Sequence, residues 1–263
     1  MQCSRDGIPA LQSRKALWLN ELVSYDREMS SHKKLNLKNH NNFIQNSTIL
    51  KWLYENPLES RGTFFIKEIR NIFIKNGIKC PYCGISPCKT LDHYYCKSSL
   101  PQFSILHNNL IPCCGDCNKE KGTLKVKKTW KRLINPFYDN YEDTLGAPII
   151  FIIFKRISPT SSAIDYAIIP NQNLSRKEKM HVNFHISRMK IKTSHSEFIL
   201  DSFDRFSSII KGYNEKYQNN KIDRETYQSL ISTILSKNPA KSYDWDYIVI
   251  YSLINIQQNS WAV

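Results

Sequence analysis

Two Cys-x-x-Cys pairs, Cys80/Cys83 and Cys114/Cys117, constrain this chain more than any other feature. Four thiolates drawn from two such pairs make a tetrahedral all-cysteine site, the usual arrangement for structural zinc. Residues 84–113, 30 positions, lie between the pairs. That exceeds the roughly 15–20 residues of a common zinc ribbon, so the intervening segment is expected to be a structured insertion. Taken alone, the clamp is equally compatible with a ribbon that only binds.

The residues inside the clamp carry chemistry. Lys89-Thr90-Leu91 reads as a short strand leading into Asp92-His93, Asn109-Leu110-Ile111-Pro112 as a return segment, and Cys117-Asn118-Lys119-Glu120-Lys121 as the opening of a helix. Asp92 and the Asn118 amide oxygen are hard ligands of the kind preferred by Mg²⁺ or Mn²⁺. His93, beside one of them, is suited to act as a general base because imidazole titrates near neutral pH; activity through it should fall below about pH 6. A lone Asp-His pair would carry little weight. Here it lies inside a four-cysteine frame, with Asn109 following His93 by 16 positions and Asn118 following by 9 more, abutting the second pair.

The run Cys-x-x-Cys, Asp-His, Asn-Leu, Cys-x-x-Cys-Asn-x-x-Lys-Gly, from Cys80 to Gly122, resembles the HNH endonucleases of ββα-metal fold in their zinc-stapled form. The resemblance implies an α+β fold with a metal-dependent phosphodiester-cleaving centre. His93 would be the base, and Asp92 and Asn118 the ligands of one Mg²⁺ or Mn²⁺. Asn109 would fix the loop that carries His93. Cys80, Cys83, Cys114 and Cys117 would hold structural Zn²⁺. Thr90-Leu91-Asp92-His93-Tyr94, Asn109 to Pro112 and the downstream Ile134-Asn135-Pro136-Phe137-Tyr138-Asp139 are similar to the PtuB-type branch of Septu and retron anti-phage systems. That branch implies an SMC-like ATPase partner of the PtuA type. Cys96, where that branch more often has Pro, and Asn135, where it more often has His, depart from its pattern. The alternative from another class is a non-catalytic zinc-ribbon adaptor for nucleic acid or protein.

The formal charge of +14 and pI of about 9.4 suit a polyanionic partner, DNA or RNA including tRNA. Lys119, Lys121, Lys125, Lys127, Lys128, Lys131 and Arg132 follow the second cysteine pair and are expected to contact phosphates, which positions a strand without reading its sequence. Trp130 among them is expected to be buried, with base stacking as the alternative. Seven of eight cysteines fall between residues 80 and 117, which excludes a secreted disulfide scaffold and fits zinc in a reducing cytoplasm. Cys88, Cys96 and Cys113 read as ordinary thiols, with Cys88 or Cys113 as possible substitute ligands. The longest apolar run, Ala147 to Phe154, is too short to cross a membrane, and no signal peptide is read at the N-terminus.

Three regions are expected: a helical segment over 1–76, a nuclease module over 77–135, and a C-terminal extension over 136–263. In the first, Leu11, Leu17, Leu19 and Leu22 predict a helix face, Ser30 to Asn46 an exposed mobile loop, Ile49 to Leu53 a short helix, and Phe64 to Asn76 a helix stopped by Gly77. Phe65, Ile66, Ile69, Ile72 and Phe73 form the last helix's packing face, while Lys67, Arg70 and Lys75 offer a DNA-reading alternative. In the extension, Ile149 to Phe154 and Tyr166 to Ile169 predict a β-hairpin, followed by helices near 195–217, 223–237 and 244–257. The stripe Phe198, Ile199, Phe203, Phe206 and Ile210 is expected to be core, or else a docking face for an ATPase. His181, His185 and His195 do not make a convincing second metal site.

Overall fold

The computed structural model describes residues 9, 11–56, 64–126, 128–141, 145–158, 163–236 and 244–255. It is mixed α+β and mostly helical, with two small two-stranded antiparallel sheets. Contacts divide the chain into two compact units: 1–82 with 86–140, and 83–85 with 141–263. Residues 1–76 and 77–135, expected as separate regions, fall in the same unit apart from residues 83–85.

The first unit is built around a short hairpin. Strand β1 (Thr90–His93) pairs with β2 (Leu110–Cys113) in the register Thr90↔Cys113 to His93↔Leu110. Helices α2 (Ser47–Glu55) and α3 (Phe64–Lys75) cover one face, where Tyr54, Ile66, Leu91 and Leu110 are buried together. Gly77, at φ +57°, follows α3 in a conformation that glycine adopts without penalty. Ile72 is 52% exposed and does not share the packing face expected for it. Lys67 is exposed, and the side chains of Phe65, Arg70, Phe73 and Lys75 lie outside the described residues.

Helix α1 (Lys15–His32) departs from the leucine pattern. Leu17 and Leu19 are exposed, and the buried face carries Glu21, Tyr25, Glu28 and Met29. The cause lies in residues 33–46, expected to be an exposed loop. Leu35, His40 and Phe43 from this stretch are buried. His40 sits between two carboxylates, with Nδ1 2.6 Å from Glu21 and Nε2 3.3 Å from Glu28. Asn42 Nδ2 and Gln102 Nε2 also donate to Glu21. Buried carboxylates are tolerated only with such partners, so this network, rather than leucine burial, orients α1.

The second unit holds the expected hairpin, β3 (Ile150–Arg156) against β4 (Ile164–Pro170). Alternation along β3 buries Ile150, Ile152 and Phe154. Helix α5 (Arg176–Arg188) was not anticipated, although Ser175 and Glu178 form a complete capping box at its start. After the single turn α6 (Ile191–Ser194) come α7 (Ser196–Gln218), α8 (Arg224–Ser236) and α9 (Trp245–Asn255), within a residue or two of the expected bounds. Ile199, Phe203 and Ile210 are buried, so these three members of the α7 stripe belong to the core. Helix α9 buries Trp245, Tyr247 to Ile250, Ser252 and Leu253, and Ser252 Oγ accepts the β3 backbone N–H of Ile152 at 2.9 Å. The carbonyl of Cys83 accepts from Trp245 Nε1 at 2.8 Å and from His195 Nε2 at 3.2 Å. His181 lies 2.6 Å from Tyr141 Oη. Among the described residues no helix is long and apolar enough to cross a membrane.

Phe154 is fully buried, with its ring centroid 4.5 Å from that of Phe203. Phe154→Ala is expected to cost about 3–5 kcal/mol, measured by urea denaturation; a loss below about 1 kcal/mol would show that this contact does not hold the hairpin.

Candidate functional site

The strand–strand–helix run from Thr90 to Lys121 places the candidate residues. Cys114 follows β2 directly and caps α4 (Gly115–Lys121), its sulfur accepting the Cys117 backbone N–H at 3.4 Å. The ligand sulfurs of Cys80, Cys83, Cys114 and Cys117 lie within 4.8 Å of one another, and all four residues are buried. Tetrahedral thiolate coordination at about 2.3 Å needs sulfurs just under 4 Å apart, so the cluster fits a structural zinc with small adjustment. Cys113 stays outside this set: burial pushes its thiol up to about 12, and Thr90 Oγ1 contacts its sulfur at 3.3 Å. Among the described residues no other group of three or more histidine, cysteine and acid side chains gathers closely enough to hold a metal.

Asn109 is fully buried in the connection between β1 and β2. Its Oδ1 accepts from the Tyr95 backbone N–H at 2.7 Å and from Tyr25 Oη at 3.2 Å. Its Nδ2 donates to the carbonyls of Tyr95 at 3.1 Å and Phe103 at 3.0 Å. One amide thus ties both ends of residues 95–109 to helix α1, just beyond His93.

His93 is 9% exposed at the end of β1. Its Nε2 lies 2.9 Å from the carbonyl of Ser104, and its ring meets Tyr54 edge-on at 4.3 Å. A carbonyl can only accept, so Nε2 carries the proton and in the neutral ring Nδ1 holds the lone pair.

Asp92 is 5% exposed and both of its oxygens have partners. Oδ1 accepts from Lys121 Nζ at 2.8 Å, and Oδ2 from Tyr82 Oη at 2.9 Å. Burial, and after it the Asp92 charge, hold the Tyr82 phenol well above its ordinary range, so it remains a donor. Lys121 also donates to the His93 carbonyl at 2.6 Å. Asn118 is half-buried, and its Nδ2 donates to Thr90 Oγ1 at 3.2 Å. Residues 117, 118 and 121 share one side of α4 by the 3–4 residue helical repeat. One helix face therefore supplies a thiolate to the cluster and two side chains to β1.

The basic run separates into two groups. Lys119, Lys125, Lys128 and Lys131 are exposed as expected, and Lys127 lies outside the described residues. Lys121 and Arg132 are corrections: both are 2% exposed. Arg132 grips Asp139 through two nitrogens and donates to Tyr94 Oη and the Leu133 carbonyl. Asp139 in turn accepts the Asn135 backbone N–H, closing the Asn-Pro-Phe-Tyr-Asp turn. Trp130 is half-buried, with Lys128 Nζ 5.3 Å from its ring centre. Tyr82 and the inward role of Lys121 were missed in the sequence. The spacing of Lys121 three residues after Asn118 was the available signal.

No protein-family model matches this chain, and no solved structure matches it significantly. Protein ea31 of Escherichia phage lambda is 24% identical over 215 residues, a match spanning 78% of this chain and 71% of that protein. The two are distant homologues.

Two outcomes are expected. Cys117→Ser should lose zinc, measured by atomic absorption, and unfold the first unit, because structural zinc contributes on the order of 10 kcal/mol to folding; a folded, zinc-loaded variant would contradict the cluster. Asn109→Ala strands three backbone groups and should cost about 3 kcal/mol in chemical denaturation while zinc content stays unchanged.

Proposed function

We propose that this chain is a metal-dependent HNH endonuclease that hydrolyses phosphodiester bonds of nucleic acid. The observation that carries this reading is the framing of Asp92, His93 and Asn118 on a strand–strand–helix unit closed by four clustered cysteines. The antiparallel pair β1–β2 leading into α4 and the buried four-cysteine cluster support it.

The donor set suits a hard divalent cation. Asp92 and Asn118 would hold Mg²⁺ or Mn²⁺ through carboxylate and amide oxygens, and an ionised carboxylate has about four lone-pair positions, so the Lys121 and Tyr82 bonds do not exhaust it. The chemistry supplied by an ion held there is polarisation of the scissile phosphate and stabilisation of the leaving oxyanion. The chain's own residues do the rest. The Ser104 carbonyl and the edge of Tyr54 fix the His93 ring, leaving Nδ1 as the atom that takes a proton from the attacking water. Asn109 holds the loop behind it. Exposed Lys119, Lys125, Lys128 and Lys131 offer charges for substrate phosphates. By the resemblance above, such an enzyme would act as the effector of an anti-phage system beside an SMC-like ATPase.

One observation favours the adaptor reading instead: Asp92 is already neutralised by Lys121 inside the protein, as a purely structural carboxylate would be. Purified wild type and His93→Ala, each with Mg²⁺ or Mn²⁺, separate the two on plasmid DNA, single-stranded DNA and tRNA. Wild-type cleavage that falls by about 10²-fold or more in the variant, with binding retained, is expected. Nucleic-acid binding by both proteins with cleavage by neither would favour the adaptor, and equal cleavage by both would overturn His93 as the base.

A further inference from the structure

Among the described residues of the basic run, Lys121 is the cation that meets the candidate site, and it does so from inside the protein. Its side chain is 3% exposed, which excludes contact with a nucleic-acid strand. The ammonium lies 2.8 Å from Asp92 Oδ1 and 2.6 Å from the carbonyl of His93. It therefore bridges the side chain of one candidate residue and the backbone of the next. The remaining Asp92 oxygen takes Tyr82 Oη, a neutral donor. Lys121 thus carries the positive charge against this carboxylate. Gly122, at φ +53°, ends α4 immediately afterwards, and its N–H returns to the Asn118 carbonyl at 3.1 Å. Lys121 consequently sits on the last helical position, one turn from Asn118.

We propose that Lys121 is a tethered counter-ion of the metal site: it positions Asp92 and the His93 backbone, and its charge weakens the hold of Asp92 on a divalent cation. This deepens the nuclease reading and rests on it. An ammonium within a hydrogen bond of a ligating carboxylate repels an incoming dication at short range, where water screens little. It also preforms the site, since Asp92 and His93 already stand where α4 holds them. The consequence is a site kept ready but weakly loaded, whose occupancy rises when substrate phosphates add negative charge nearby. Lys121 is a positioning residue and has no role in touching substrate.

The test is Mn²⁺ affinity, read by electron paramagnetic resonance on the full chain without nucleic acid. Lys121→Met is expected to bind Mn²⁺ about tenfold more tightly than wild type, Lys121→Arg to stay within about twofold of it, and Asp92→Asn to bind none. Equal or weaker affinity in Lys121→Met overturns the proposal. If Lys121→Met does not fold, wild type answers alone. The side-chain ammonium nitrogen resonance absent from Lys121→Arg is expected to shift on Mg²⁺ titration, and no shift at saturation overturns the proposal. The nuclease reading is judged separately. Cleavage abolished by His93→Ala, with equal Mn²⁺ affinity in wild type and Lys121→Met, overturns this proposal and leaves that reading standing. No Mn²⁺ bound by either protein overturns both.

Discussion

Four cysteine sulfurs gathered within 4.8 Å of one another bring residues 80–83 and 114–117 to one point, and that closure frames the hairpin between them. A hairpin of two four-residue strands has too little surface to be stable alone. Its connection, residues 94–109, adds loop entropy that eight strand residues do not offset. A structural zinc held by the cluster would remove most of that freedom. The same closure starts the helix, since Cys114 is both a member of the cluster and the cap of α4. The start of α4 and the face it turns to β1 are therefore set beside the same cluster.

Within that frame the polar groups named for the site each have partners. Asn109 uses two acceptor and two donor positions, all on the loop behind His93 or on α1. Arg132 and Asp139 close the turn that follows. Asp92 and Lys121 neutralise one another across β1 and α4. Removing either member of such a buried pair leaves an uncompensated charge, typically at a cost of 3–5 kcal/mol, so each pair fixes geometry more than it adds net stability.

Local patterns were the legible part of the sequence. The cysteine spacing, the hairpin at residues 150–170 and the helices after residue 195 follow from motif and periodicity, which act over a few residues. The face of α1 was not legible, because Glu21 and Glu28 are buried only through His40, and no helical period encodes that. Lys121 was grouped with its neighbours by composition, whereas its side chain is set by helical phase relative to Asn118. Asp92, His93 and Asn118 were named from the motif; the Tyr82 contact was not, since it joins the interior of the first Cys-x-x-Cys to the strand and has no local signature. Helix α5 was available from Ser175 and Glu178 and was overlooked for want of an apolar stripe: only His181, Val182 and His185 are buried on it.

The acidic face of α1 has a temporal consequence. Glu21 is satisfied by His40, Asn42 and Gln102, and Tyr25 by Asn109, partners up to 84 positions downstream. A ribosome delivers residues in order, at roughly 5–20 per second, so the helix leaves the exit tunnel seconds before Gln102 and Asn109. Until then Glu21 lacks its Gln102 donor and Tyr25 lacks Asn109, so the full set of bonds on α1 closes only once the connection after His93 has been made. Helix α1 is thus made before the partners that complete its docking, and Cys114 and Cys117 follow those partners in the chain.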